Sequence, residues 1–473
     1  MSTTATTSTA TGGSGVRPFG RKDKLGYLTG DLGNDFMFIF ASAYLMVFYT
    51  DVAGLNAGHV GTLFLVVRFV DAFTDIGWGR FLDRHRPRPA GRFRTWIGRM
   101  ALPVGVASAL LYMPFIADWA YAAKFSYAAL TYLLWGSVFY TMVNISYGSM
   151  VSVVSDDPGE RSALSVFRGA GASVAGLIVS LLPPLLIYGT IDGSSQVIPT
   201  NLVFVAIGFS ACAVVMHRFC FRWTLERVPA PPQREQRGLM RSLGALLGNR
   251  ALLSLISANL ILMLGALLTS ALAPYLWLEY FNDGQLSGPA QVVNYLPALL
   301  LAPIATALAV RLGKKEVLCV ALLVTSAVYF WVYFAGITDP WVFIGLTLLA
   351  GFGVGAFNLL VWAMITDVID DGEVRTGQRD AGTVYAINTW ARKVGQAIAG
   401  GLGGYALAIV GYQSGTEDQS QATVDGIYAV ATLVPGIIYL LVVLMLLVWY
   451  PLSRRTVLEN GSVLARRRSE RQE

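Results

Sequence analysis

The sequence predicts an all-α polytopic membrane protein, with twelve transmembrane helices arranged as two six-helix halves. Three observations carry that prediction. Of 473 residues, 55% are hydrophobic and 14% charged, and the mean hydropathy is +0.55, which excludes a string of soluble domains. Apolar blocks of about 20 residues, enough to cross roughly 30 Å of hydrocarbon, recur about twelve times between short polar segments. The 49 glycines suit close helix packing in lipid, and the alternating pattern of a membrane β-barrel is absent. The cysteines, Cys212, Cys220 and Cys319, lack C-x-x-C spacing and indicate neither a disulfide framework nor a metal site.

Residues 1–23 open on a Ser/Thr/Ala/Gly tract with no apolar run behind a basic start, so they read as a disordered tail and not a cleaved signal. The N-terminal bundle, 24–221, holds spans near 30–50, 58–81, 96–116, 125–150, 163–188 and 201–221. A basic connector covers 222–250. The C-terminal bundle, 251–452, holds spans near 251–280, 289–310, 316–336, 341–367, 381–410 and 426–450, and 453–473 forms a basic tail.

The basic residues test this map, because short positively charged loops stay cytoplasmic. Thirty of the 35 Lys and Arg lie in the termini, the connector and alternate loops, while the opposite loops hold only Lys124. Both termini are therefore expected in the cytoplasm of a multi-pass cell-membrane protein. The Arg466-Arg467-Arg468 run reads as retention and contact with anionic lipid, not nucleic-acid binding. Two short echoes suggest a duplicated six-helix unit. Gly91-Arg92-Phe93-Arg94 matches Arg311-Leu312-Gly313-Lys314-Lys315, and Asp156-Asp157-Pro158-Gly159-Glu160-Arg161 matches Asp370-Asp371-Gly372-Glu373-Val374-Arg375.

Four basic residues, Arg68, Arg168, Arg392 and Lys393, fall inside expected spans. Charges there are expensive and usually face a cavity. In the second span, Arg68, Asp71 and Asp75 share one narrow arc at about 100° per residue. Two carboxylates a turn apart, with Thr74 beside them, supply hard oxygens for a monovalent cation or share a proton; the alternative is a structural ion-pair network. Asp35 and Asn144 fit a polar cavity able to answer hydroxyl groups, Asn144 equally a helix-packing contact. Trp390, Arg392 and Lys393 put an aromatic ring and two cations where an anionic substrate would be accepted. The histidines, His59, His85 and His217, lie at span ends or in a basic loop, and none reads as a proton relay.

From about Lys24 to Pro451 the chain resembles the glycoside-pentoside-hexuronide:cation symporters of the major facilitator superfamily. The motifs are Tyr49-Thr50-Asp51-Val52-Ala53-Gly54-Leu55, Arg68-Phe69-Val70-Asp71-Ala72-Phe73-Thr74-Asp75, Gly91-Arg92-Phe93-Arg94, Asp367-Val368-Ile369-Asp370-Asp371-Gly372-Glu373 with Gly377-Gln378-Arg379, and Arg392-Lys393-Val394-Gly395-Gln396-Ala397. The resemblance implies a major facilitator fold, a monomer, and a coupling-cation site for Na⁺ or H⁺ formed by Asp71, Thr74, Asp75 and Thr141. It also implies a sugar site lined by Asp35, Asn144, Arg168, Trp390 and Lys393. Within the family, Val143-Asn144-Ile145-Ser146-Tyr147-Gly148-Ser149 is more similar to the glucuronide carriers than to the melibiose permeases.

The expected function is secondary active uptake of a glucuronide or other glycoside with a cation, by alternating access about a midplane site and with no cofactor. The charges Asp83, Arg84, Arg161, Asp367, Asp370, Asp371 and Arg379 either latch the halves when the cavity faces out or are solvated loop charges. The alternatives are a lysophospholipid:cation symporter and a membrane sensor that binds glycoside without moving it. An enzyme is not expected, since no nucleophile–base pair, phosphate-binding loop or metal-ligand constellation stands out.

Overall fold

Hydrocarbon offers the backbone no hydrogen-bond partner, so each apolar run bonds internally as helix. A computed structural model describes residues 17–84, 89–191, 194–228, 249–293, 296–377, 381–414, 416 and 419–470; several side chains within these helices, among them those of Asp83, Arg84, Trp390, Arg392 and Lys393, lie outside the description, as does Arg379.

The first half comprises α1 (Arg21–Val47) with a π-helical turn at Phe48–Val52, α2 (Ala57–Arg84), α3 (Arg94–Leu110), α4 (Tyr121–Leu133) joined through a π-helical turn at Leu134–Tyr140 to α5 (Thr141–Val154), α6 (Pro158–Ile187) and α7 (Pro199–Trp223). The second comprises α8 (Arg250–Tyr275) with a π-helical turn at Leu276–Tyr280, α9 (Ser287–Val293), α10 (Leu296–Leu312), α11 (Lys314–Ala335), α12 (Pro340–Thr376), α13 (Ala381–Ile409) and α14 (Gln421–Val448). A final helix, α15 (Arg454–Glu470), packs on α12. Helix overlaps every expected span, and among the described residues eight helical stretches are long and apolar enough to cross a membrane. Helices α3 and α10 have 17 residues each.

The halves repeat one packing plan, as a duplication requires. Helix α1 packs on α6 and α7, and α8 correspondingly on α13 and α14; α3 packs on α7, and α11 on α14. The first sequence echo holds in backbone geometry: Gly91 and Gly313 both have left-handed φ, at +112° and +100°, before the helix that follows. The second does not. Asp157 caps α6 by accepting from the Glu160 amide at 2.8 Å, whereas Asp370 and Asp371 lie inside α12, which continues past the expected end at 367 to Thr376.

Both ends of the described chain gather at one end of the bundle. There Asp23 is fully buried and accepts from Arg17 at 2.8 Å and Arg227 at 3.0 Å, so α1 begins at Arg21, ahead of the boundary expected at 24. Glu226 caps α3, accepting from the amides of Arg92, Phe93 and Arg94 at 2.7 Å each. The start of the connector is thereby tied to the first half. Asp23→Ala would strand two guanidinium groups. We expect a loss of about 2–3 kcal/mol, below the full value for a buried pair because Arg17 is one-third exposed, read as a lower unfolding midpoint in detergent.

The structure corrects one expectation. His217 is not at a span end: it lies within α7, fully buried, its Nε2 3.2 Å from Asn34 Oδ1. A short antiparallel ribbon, β1 (Tyr188–Ile191) with β2 (Ser194–Val197), stands between α6 and α7, Tyr188 opposing Val197 and Ile191 opposing Ser194. It lies beyond the helix ends, where water satisfies its open edges.

At this far end the halves are shut against each other. Helices α2 and α13 approach so closely that a Cβ on Gly404 would stand 2.4 Å from the Ala57 carbonyl oxygen and 2.7 Å from Gly61 Cα. Thr62 and Tyr405 hydroxyls meet at 3.0 Å, and the Ser195 amide donates to Asn282 at 2.7 Å. At the termini end, charges expected to latch the halves are paired within their own half. Lys314 holds Asp367 at 2.7 Å, Arg375 and Asn460 hold Asp371 at 2.9 and 3.2 Å, and Arg161 donates to the Ser155 carbonyl at 2.7 Å. Asp370 follows Asp367 on α12, and Asp83, Arg84 and Arg379 lie outside the described side chains. The structure thus captures the bundle closed at its far end.

Candidate functional site

The second-span carboxylates meet hydroxyls from the fourth span. Asp71 Oδ1 accepts from Ser137, and one turn along α2, Asp75 Oδ1 accepts from Thr141 at 3.0 Å. Both pairs are four residues apart in sequence, so two parallel helical stretches meet as two rungs. Ser137 belongs to the π-helical turn at Leu134–Tyr140, whose extra residue sets the rotation of the chain entering α5. Gly136 makes the approach close: a Cβ there would lie 3.5 Å from Asp71 Oδ1. Thr74 spends its hydroxyl proton on the Asp71 carbonyl at 3.1 Å, leaving its oxygen lone pairs on the same side chain. Two carboxylates and several hydroxyl oxygens in this space form a hard-oxygen set suited to a weakly held monovalent cation or a proton. Among the described residues, no group of three or more His, Cys, Asp or Glu is placed to hold a metal ion.

Arg68 lies beside this set, its Nη1 3.7 Å from Asp71 Oδ2 and its guanidinium 5.1 Å from the centre of the Phe38 ring. It also lines a cavity between the halves with Phe38, Ser42, Tyr132, Ser270 and Gln396. This oxygen set therefore borders a space that both halves share.

The sugar-site residues expected from the first half lie on α1, α5 and α6. Arg168 on α6 donates through Nε to Asp31 at 3.1 Å, with its guanidinium 5.5 Å from the Tyr147 ring centre. Asp31 is almost fully buried, while the Arg168 side chain is 47% exposed. Asp35, one turn along α1 from Asp31, and Asn144 on α5 are half-buried and have no hydrogen-bond partner among the described residues. Trp390 and Lys393 lie on α13, and their side chains fall outside the description.

Sequence reasoning missed two participants. Asp31 stands four residues before Asp35, the same spacing as Asp71 and Asp75, so its signal was present. Ser137 stands four before Thr141, but hydroxyl residues are common in spans, and nothing local marked it. Among the described residues no side chain in this space forms a nucleophile–base pair.

The sequence profile of the family described as MFS/sugar transport protein matches residues 26–454. A Salmonella typhimurium protein provisionally named a 2,3-dihydroxypropane-1-sulfonate exporter is 32% identical over 443 residues, covering 92% of this chain and 93% of the relative. The glucuronide carrier protein homolog of Escherichia coli is 30% identical over 438 residues, covering 91% and 92%. In fold the chain is similar to a crystallised D-xylose-proton symporter, with a TM-score of 0.62 at 12% identity over 91% of this chain and 97% of that one. These are multi-pass membrane transporters and not enzymes. The chain belongs to the MFS/sugar transport protein family, as a cell-membrane secondary transporter of the glycoside-pentoside-hexuronide:cation symporter type.

Proposed function

We propose that this transporter couples movement of an anionic polyhydroxyl substrate, a carboxylated or sulfonated sugar or sugar fragment, to a monovalent cation. The observation that carries the reading is the double rung of Asp71 with Ser137 and Asp75 with Thr141, which builds an oxygen site at the edge of the inter-half space. Thr74 completes it. Asp35, Asn144, Arg168, Trp390 and Lys393 bind the substrate: Asn and Asp answer hydroxyls, and the cations answer the anionic group. Arg168 supports this role, since Asp31 engages only its Nε and no partner for its terminal nitrogens is found among the described residues. The names of two relatives refer to glucuronide and to 2,3-dihydroxypropane-1-sulfonate, both hydroxyl-bearing anions.

The N-terminal bundle at 24–221 and the C-terminal bundle at 251–452 rock about this site, with the connector at 222–250 between them. Both termini face the cytoplasm, because Lys and Arg crowd the termini end while the far end has Lys124. The protein acts as a monomer. When the cavity faces out, Asp83, Arg84, Arg161, Asp367, Asp370, Asp371 and Arg379 pair across the halves.

Uptake of labelled 4-nitrophenyl β-D-glucuronide and of 2,3-dihydroxypropane-1-sulfonate into proteoliposomes tests this, with inward Na⁺ and inward H⁺ gradients imposed separately. Accumulation of either probe under one gradient is expected and identifies the coupling ion. If neutral glycosides accumulate and neither anion does, the anionic assignment fails.

A further inference from the structure

The two halves carry a matched feature outside the transport site. Helix α1 ends in the π-helical turn Phe48–Val52 and α8 in the π-helical turn Leu276–Tyr280, each five residues long with an acidic residue at its fourth position, Asp51 and Glu279. Both carboxylates converge on one phenol. Tyr412, in the turn after α13, donates to Asp51 Oδ1 at 2.7 Å, with Glu279 Oε1 3.5 Å from the same hydroxyl. Asp51 Oδ1 also accepts from Thr50 at 2.8 Å, and the fully buried Thr50 and Tyr275 hydroxyls are 2.8 Å apart. The Tyr275 and Tyr412 rings meet edge to face at 5.1 Å.

Thr50 and Asp51 belong to the first half, Tyr275 and Tyr412 to the second, so this chain of bonds crosses the seam. From these positions we infer that Asp51 with Thr50, gripping Tyr412 and Tyr275, is the latch that keeps the far end shut, and that opening the far end requires its release. Burial, followed by the neighbouring Asp51 carboxylate, holds the Tyr412 phenol well above its ordinary range, so it stays protonated and remains the donor. Hydrogen bonds to a charged acceptor such as the half-buried Asp51 are among the strongest side-chain contacts. The Thr62–Tyr405 bond of the same seam is exposed and joins neutral groups, so it contributes far less. Release would leave Asp51 with Thr50 alone until water enters, which makes the closed state discrete. The inference needs only the two-half fold and not the identity of the substrate or cation.

Spin labels at Thr190→Cys and Ala422→Cys, exposed positions on opposite halves at the far end, report the seam by pulsed electron resonance once Cys212, Cys220 and Cys319 are replaced by Ser. Tyr412→Phe removes one hydroxyl and keeps the ring, and is expected to raise the long-distance population about ten-fold, the scale of a hydrogen bond to a charged group. Asp51→Ala is expected to raise it further. Thr62→Val serves as the control and should leave the distribution unchanged. An unchanged distribution in Tyr412→Phe overturns the latch even if Asp51→Ala shifts, and so does an equal shift in Thr62→Val.

Discussion

Asp75→Asn is expected to abolish gradient-driven accumulation while leaving substrate exchange across the membrane. Asparagine keeps an oxygen where Asp75 Oδ1 accepts from Thr141 at 3.0 Å, so the contact between the second and fourth spans persists. What is lost is the charge. A cation stabilises the loaded state only to the extent that it binds that state better than the others, and such coupling between sites typically amounts to about 1–3 kcal/mol, or roughly 5- to 150-fold. Without it, the accumulation ratio under an inward gradient should fall to the value in vesicles with no gradient. Asp71→Asn is expected to behave alike, because Ser137 binds Asp71 on the adjoining rung. The measurement is the steady-state accumulation ratio together with the exchange rate in the same vesicles. Full gradient-driven uptake in both variants would remove the cation site from this position.

Gly404→Val is expected to slow turnover by a different route. A Cβ at Gly404 meets the backbone of α2, 2.4 Å from the Ala57 oxygen and 2.7 Å from Gly61 Cα, and backbone cannot swing aside as a side chain can. The two helices must part. Overpacking a close contact costs about 1–3 kcal/mol, and here the cost falls only on the state in which the far end is shut. Turnover should drop about ten- to hundred-fold, for uphill and downhill transport alike, while the protein still folds and inserts. Gly208→Ala in α7, where a Cβ meets nothing within 4 Å, should leave the initial rate unchanged. Comparable rates for Gly404→Val and Gly208→Ala would mean that closing the seam does not limit the cycle.

These two expectations differ in how far the sequence foresaw them. The carboxylates of the second span stood out because charge in an apolar run is rare, and their spacing put them on one helix face. Ser137 did not stand out, because the π-helical turn that carries it has no local signature in Leu134–Tyr140. The ribbon after α6 had a hairpin cue, Asp192-Gly193 between residues of high strand propensity, hidden by the helical pattern around it. The buried pairing of Asp23 with Arg227 was not legible at all, since the two lie 204 residues apart.

Hydropathy, charge placement and motif order determined the membrane class, the spans, the two-half plan and the candidate carboxylates, because each is a property of the chain read locally. The tertiary structure decided which end is shut, which hydroxyl meets which carboxylate, and that Asp51 and Glu279 converge on Tyr412. Those facts depend on how each helix is rotated about its axis and how the halves are tilted. Rotation and tilt are set by packing between helices distant in sequence, at backbone approaches such as Gly61 with Gly404, and no residue records them alone.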